Sequence, residues 1–215
     1  MATTEPDPAP VGRTRHRLLE AGLRLFAARG FSAVRVGDIE QAAGLVPRRG
    51  ALYRHFDSKA ALLSAAVEAH LASVAAANIR YTGDADARTA DAPATPEQVG
   101  EFILAEMDRQ RLITQILERD GARLVPLRDR FRVEVSDTAY RTMTKILRHW
   151  LQSAGSQTVD DRRAEALAVH LVGALVNARR SSWTLGASPL GLDDDELLAG
   201  WASLCRALAE SLSPG

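Results

Sequence analysis

The apolar positions of this chain recur at intervals of three and four residues along most of its length, the period of a helix buried on one side. In "TRHRLLEAGLRLFAARG", Leu18, Leu19, Gly22, Leu23, Leu25 and Phe26 form one wide stripe. Arg17, Glu20 and Arg24 are spaced for i,i+3 and i,i+4 contacts. Gly30 is placed as the glycine that stops this helix. "VGDIEQAA" predicts a second, short helix that ends at Gly44. Leu45 and Val46 fill a turn, and Pro47 suits the first position of a third helix running through Leu52 and Tyr53 to about His55. Ser58 then caps a fourth helix over 59–80. "YTGDADARTADAPAT" (81–95) is small, polar and Pro-bearing and reads as a loop. Helices are expected again near 97–109, 110–119, 127–153, 160–184 and 194–212, with breaks at "LQSAGSQTV" and "LGASPLGLD". "FSAVRV" alternates weakly but is too short to found a sheet. The expected fold class is therefore all-α.

Composition agrees. Apolar residues make up 46% and charged residues 25%, ordinary globular material, and aromatics at 5% favour helices over sheets. A chain of 215 residues makes one domain or two small ones. The longest apolar stretch, "AALLSAAVEAHLASVAAA", is interrupted by Glu68 and His70, so no membrane span is expected. The first twelve residues are acidic and Pro-rich without an apolar core, so they read as a disordered tail and not as a signal peptide. The expected compartment is the cytoplasm. Cys205 is the single cysteine and can form neither an internal disulfide nor a cysteine-based zinc site.

Charge changes the picture through its distribution. The 27 basic and 27 acidic residues cancel overall. Residues 13–59 nevertheless carry a net +6, against −4 for residues 60–215 and −2 for residues 1–12. A basic head sits on an acidic body, which sets the expected boundaries at 1–12, 13–59 and 60–215.

Helix, glycine-containing turn, helix is the layout of a helix-turn-helix reader of the DNA major groove. In that geometry Leu45, Leu52 and Phe56 pack inward with Ile39 and Ala42, and Arg48, Arg49, Tyr53 and Arg54 face out. Gly50 inside the third helix costs about 0.5–1 kcal/mol relative to alanine. It serves close approach to a phosphate or base edge, or it relieves crowding in a turn. Lys59 occupies a first helical turn, where a cation is disfavoured unless an anion joins it. A DNA phosphate or a pairing with Asp57 would each satisfy it.

"GDIEQAAGLVPRRGALYRHFDSKAALL", with "LLEAGLRLFAARGF" upstream, resembles the N-terminal domain of TetR/AcrR-type transcriptional regulators over about residues 13–63. The residues that carry the likeness are Asp38–Ile39, Ala43–Gly44–Leu45, Gly50–Ala51–Leu52–Tyr53–Arg54–His55–Phe56 and Ser58–Lys59 with Leu62. The resemblance implies phosphate contacts from Tyr53, His55 and Lys59, and base contacts from Arg48, Arg49 and Arg54. Three departures stand out. Val34 and Arg35 replace the usual Thr or Ser ahead of the second helix, which removes a capping side chain and adds a cation that could contact phosphate. Glu40 stands at a position usually alanine and faces solvent or repels DNA. "LVPRR" is two residues longer than the usual spacing, which leaves open whether Arg48 or Arg49 reaches a base.

The resemblance also implies a homodimer, a small-molecule effector and release from a pseudo-palindromic operator of double-stranded DNA, with repression the usual outcome. In "AEALAVHLVGALVNA" (164–178), Leu167, Leu171, Ala174, Leu175 and Ala178 belong to an apolar arc wider than one internal neighbour needs. In the final helix Leu197, Trp201, Leu204 and Leu208 recur at heptad-like spacing. Together they predict a four-helix dimer interface, or else simply close the subunit's own core. Phe102, Met107, Tyr140, Met143, Trp150 and Trp183 are candidates to line an effector pocket, or are plain core. His170 and Asn177, seven apart on one helix face, would lend it polar groups or form a polar seam or a wet surface.

No enzyme is indicated, and no cofactor or metal. HExxH, GxSxG, GxGxxG and the P-loop are all absent, as are Glu-x-x-His pairs. "DDDE" at 193–196 reads as the acidic start of the last helix, capped by Asp193 or Asp194. The alternative to a regulator is an all-α binding or scaffold protein whose basic head has another role.

Overall fold

The structure, a computed structural model, describes residues 10–82, 94–155 and 160–212. Among them eight α-helices follow one another and strands are absent: α1 (Pro10–Arg29), α2 (Val36–Ala42), α3 (Lys59–Thr82), α4 (Pro96–Asp120), α5 (Val125–Phe131), α6 (Asp137–Ser153), α7 (Asp161–Leu185) and α8 (Asp194–Ser211). No helix of the described residues is long and apolar enough to cross a membrane. Helix α1 begins at Pro10, so residues 10–12, expected in the tail, are helical, with Pro10 at the start where its missing N–H costs nothing. Residues 1–9 and most of the expected loop (83–93) lie outside the described residues.

Local chemistry explains several helix ends. Gly30 and Gly44 take φ of +85° and +68°, the left-handed conformation that closes a helix, and Gly30 N–H donates to the Phe26 carbonyl at 2.9 Å. Ser58 Oγ accepts the Ala61 N–H at 3.0 Å and opens α3. Asp193 Oδ1 accepts the Glu196 N–H at 2.9 Å while Glu196 Oε2 accepts the Asp193 N–H at 2.9 Å, a reciprocal box at the start of α8. Helix α4 runs unbroken where two helices were expected, because "DRQR" (108–111) contains no glycine or proline to divide it. The helix expected over 127–153 is instead divided by a π turn, Arg132–Ser136, between α5 and α6.

The chain forms two compact units, Met1–Leu71 with Gln110–Phe131, and Ala72–Arg109 with Arg132–Gly215, whereas the expected segments were 1–12, 13–59 and 60–215. Packing explains why 110–131 joins the head. Ile116 is fully buried with Leu18, Phe26, Val34, Ile39, Leu52, Leu62 and Leu63, and Leu124 and Leu127 pack against them. Full burial of one such side chain is worth about 1.5–3 kcal/mol. Asp120 Oδ2 accepts the Phe31 N–H at 2.8 Å, and Arg119 Nη1 donates to the Ala27 carbonyl at 2.9 Å. Helices α1 and α3 touch at Gly22, where a β-carbon would lie 2.7 Å from Leu62 Cδ2.

The second unit has its own core of Val99, Leu104, Met143, Leu147, Leu151, Ala168, Leu171, Leu175, Trp201 and Cys205. Trp201 Nε1 donates to the Leu171 carbonyl at 2.8 Å, tying α8 to α7, and its ring lies edge-on to Trp150 at 6.4 Å. Trp150 Nε1 donates to the Ala94 carbonyl at 2.9 Å. Arg179 bridges Asp108 at 3.5 Å and Asp194 at 2.8 Å. Burial pushes the Cys205 thiol up to about 12.

Candidate nucleic-acid interface

The head's exposed basic surface is built on the chain between α2 and α3. The third helix expected over 47–55 does not form. Residues 47–51 make turns, and only a single 3-10 turn, Leu52–Arg54, is helical. Arg48 and Gly50 take φ of +63° and +68°, incompatible with a right-handed helix, so Gly50 is a turn glycine and Pro47 starts no helix. The physical reason lies in Glu40. It is fully buried, its Oε2 accepts the Arg48 N–H at 2.7 Å, and its Oε1 accepts the Leu52 N–H at 3.1 Å. These donors are therefore committed to a side chain and not to a helical ladder. Glu40 thus neither faces solvent nor confronts DNA, contrary to expectation.

Around this bracket the core anchors match the pattern in part. Ile39, Leu52 and Phe56 are buried and Leu45 half-buried, but Ala42 is exposed and Ala43 takes the inward place. Arg48, Arg49, Tyr53 and Arg54 are all exposed, with Tyr53 at 59%. His55 is half-buried beside Phe56, ring centroids 6.5 Å apart. Arg35 is exposed at the start of α2, where the missing capping side chain is replaced from inside the helix: Asp38 Oδ2 accepts the Arg35 N–H at 2.9 Å. These residues lie along one stretch of chain, from the start of α2 to the start of α3.

Lys59 departs from the expectation. Its Nζ donates to the Phe31 carbonyl at 2.6 Å and the Val34 carbonyl at 2.9 Å, and lies 4.5 Å from the Phe31 ring centroid. It is turned inward and ties the α1–α2 connection to α3, rather than standing out for a phosphate or pairing with Asp57. The cation is stabilised by two carbonyl dipoles and an aromatic face, which answers its placement in a first helical turn.

Sequence reasoning missed two cations that adjoin the segment. The Arg15 guanidinium lies 5.0 Å over the Phe56 ring, and Arg17 reaches Gly44 so closely that a β-carbon there would sit 2.5 Å from Arg17 Nη2. Both side chains are on exposed residues of α1. The only signal for them was their contribution to the head's positive balance.

In the second unit the expected residues separate. Leu171, Leu175, Ala178 and Trp201, expected at a subunit interface, are buried in the unit's own core, because their helical phase points them at one another. Ala174 and Leu204 are exposed, and Leu167, Leu197 and Leu208 are half-buried. Of the pocket candidates, Met107 and Met143 are buried, while Phe102, Tyr140, Trp150 and Trp183 are half-buried. His170 and Asn177 are exposed, in a different helical phase from buried Ala168, Leu171 and Leu175, so the structure does not bring them together with Met143.

Residues 18–66 match the sequence profile of bacterial regulatory proteins of the tetR family. The HTH-type transcriptional regulator AcrR of Shigella flexneri is 32% identical over 111 residues, covering 48% of this chain and 47% of that protein. The HTH-type regulator YerO of Bacillus subtilis is 39% identical over 57 residues, 26% of this chain and 19% of that one. The chain thus spans about half or less of the length of these curated relatives. Among solved structures, a regulator assigned to the TetR family from Mesorhizobium loti aligns with a TM-score of 0.64 at 14% identity, covering 96% of this chain and all of that one (100%). A transcriptional regulator from Aquifex aeolicus aligns with a TM-score of 0.62 at 21% identity, covering 91% and 99%. At these identities the structural likeness is one of fold, and the sequence match is carried by the head: residues 18–66 belong to the tetR family of bacterial regulatory proteins.

Proposed function

We propose that this protein is a ligand-responsive transcriptional regulator, acting as a repressor, that binds a pseudo-palindromic DNA operator as a homodimer and leaves it when a small molecule binds. The observation that carries this reading is the exposed set Arg48, Arg49, Tyr53 and Arg54, mounted on a buried core within the segment matched to the family. Arg35, Arg15 and Arg17 add positive charge near it, and His55 adds a ring N–H. Arginines that reach guanine N7 and O6 give sequence preference, and the remaining cations give salt-dependent affinity for phosphates. Lys59, committed to two backbone carbonyls, is assigned to the scaffold.

The dimer reading is supported by the outward face of α7 and α8. Val169, Ala174 and Leu204 are exposed there, and at Gly173 and Gly200 a β-carbon would meet nothing within 4 Å. Such a face of small and apolar residues permits close helix approach by a second copy. Two copies double the DNA contact and match a two-fold operator. The effector reading is supported by the half-buried aromatics Tyr140 and Trp150 against the core of the second unit, which suit an apolar or amphiphilic ligand. A ligand that binds better to the DNA-incompetent arrangement shifts the population away from the operator.

The test is binding to DNA flanking the protein's own gene against scrambled DNA of the same length, at two salt concentrations. Preference for the flanking DNA that persists at physiological salt is expected. Equal affinity for both would exclude an operator-reading role for the head. A thermal-shift screen of apolar and amphiphilic compounds, each hit then assayed for release of bound DNA, tests the ligand response.

A further inference from the structure

We propose that Glu40 is the positioning residue of the DNA-reading segment: it holds residues 45–52 as one shaped loop, so that Arg48 and Arg49 meet base edges in a fixed geometry. This rests on the DNA-binding reading above and says where its selectivity comes from.

A helix presents its side chains rigidly because each peptide group is fixed by its neighbours one turn away. The segment between Leu45 and Leu52 has no such ladder, and its residues 46–49 are exposed. Three of its backbone donors go to a single residue. Leu45 N–H donates to the Glu40 carbonyl at 2.9 Å, Arg48 N–H to Oε2 at 2.7 Å and Leu52 N–H to Oε1 at 3.1 Å. The carboxylate is fully buried, an environment that is costly unless both oxygens are paired, and both are.

The central bond falls on the strained residue itself. Arg48 holds φ of +63°, a region that a side chain with a β-carbon occupies only when its surroundings impose it. The stem of the same side chain lies over α2, with Cγ 3.7 Å from where a β-carbon on Gly37 would stand. The backbone is thereby fixed and the stem passes beside Gly37, while the residue is exposed. If the Glu40 bond were lost, Arg48 would relax to negative φ and redirect both its own side chain and that of Arg49.

Recognition of guanine by arginine needs two parallel hydrogen bonds in one plane and fails on small displacements. Attraction to phosphate varies slowly with distance and tolerates them. Loosening the loop should therefore cut selectivity and spare the salt dependence. A role in fold stability alone would lower affinity for every DNA together.

The experiment compares full-length wild type with Glu40→Gln and Glu40→Asp. Glutamine keeps the shape but turns one acceptor into a donor facing an N–H. Aspartate keeps the charge but is one methylene too short to span both donors. Each is assayed on the wild type's best-bound DNA and on scrambled DNA, with the salt slope recorded. The expected result is a selectivity ratio reduced about tenfold, with affinity for scrambled DNA and the salt slope unchanged. An unchanged ratio, or parallel loss on both DNAs, overturns the proposal. Wild type with a ratio of one would instead overturn the DNA-reading function itself, and the wild-type measurement alone reveals this. Amide hydrogen exchange on the wild type keeps the proposal testable should a variant fail to fold. Arg48 and Leu52 should be protected, and free exchange at both overturns the bracket.

Discussion

Carboxylates hold two turns of this chain, and they hold them in opposite ways. At the start of α8, Asp193 and Glu196 exchange hydrogen bonds across three residues on an exposed surface. Between α2 and α3, Glu40 reaches eight and twelve residues along the chain from a fully buried position. The first device is local and self-contained, and its loss frays one end of one helix. The second joins a short helix, a strained loop and a core anchor, so its loss is felt by all three. A local cap sharpens a boundary that helix periodicity already sets. A buried long-range bracket creates a shape that periodicity does not specify.

This contrast can be broken by experiment, starting with the largest effect. Leu52→Ala removes a fully buried side chain at the end of the bracketed loop. It should cost about 2–5 kcal/mol by urea denaturation, and a loss under about 1 kcal/mol would mean that the loop is not anchored through the core. Lys59→Met should follow at about 1.5–3 kcal/mol, since two carbonyls lose a charged donor. The slope of log affinity against log salt should stay as in wild type. A slope reduced by about one would return Lys59 to the phosphate contacts. Asp193→Ala should cost about 1 kcal/mol, with DNA binding untouched, and a cost matching that of Leu52→Ala would erase the distinction between cap and bracket. The smallest effect is at Cys205. With its thiol raised to about 12 by burial, roughly one molecule in 10,000 carries a thiolate at pH 8. A thiol reagent should therefore label the protein only as fast as it unfolds, and rapid labelling of the native state would show that the second core is open.

What was legible in the sequence follows the same division. Gly30, Gly44, Ser58 and Asp193 act within a few residues of themselves, and each sits at the boundary that its chemistry predicts. These four helix limits rest on signals of this kind, and the all-α fold on the helical period. The head's inward residues were also readable, apart from the exchange of Ala42 for Ala43, a difference of one position at a helix end. The third helix was misjudged because Pro47 and the apolar spacing of Leu52 and Phe56 suit a helix locally. Pairing between Glu40 and N–H groups eight and twelve residues away leaves no periodic trace. Lys59 shows the same limit, since its carbonyl partners lie 25 and 28 residues back. On α7 and α8 the repeat was correct, but which part of a wide apolar arc turns inward depends on packing partners, and these claimed Leu171, Leu175 and Trp201.

The clasp between α4 and the end of α1 bears on modularity. A cut after the basic stretch, or even after Leu71, would discard Ile116, Leu124 and Leu127 from the head's core and Asp120 from the Phe31 amide. The DNA-reading part of this chain is therefore no transplantable cassette. A chimera built by joining residues 1–71 to a foreign body would have to bring its own replacement for residues 110–131, and swaps between relatives should succeed only when both segments travel together.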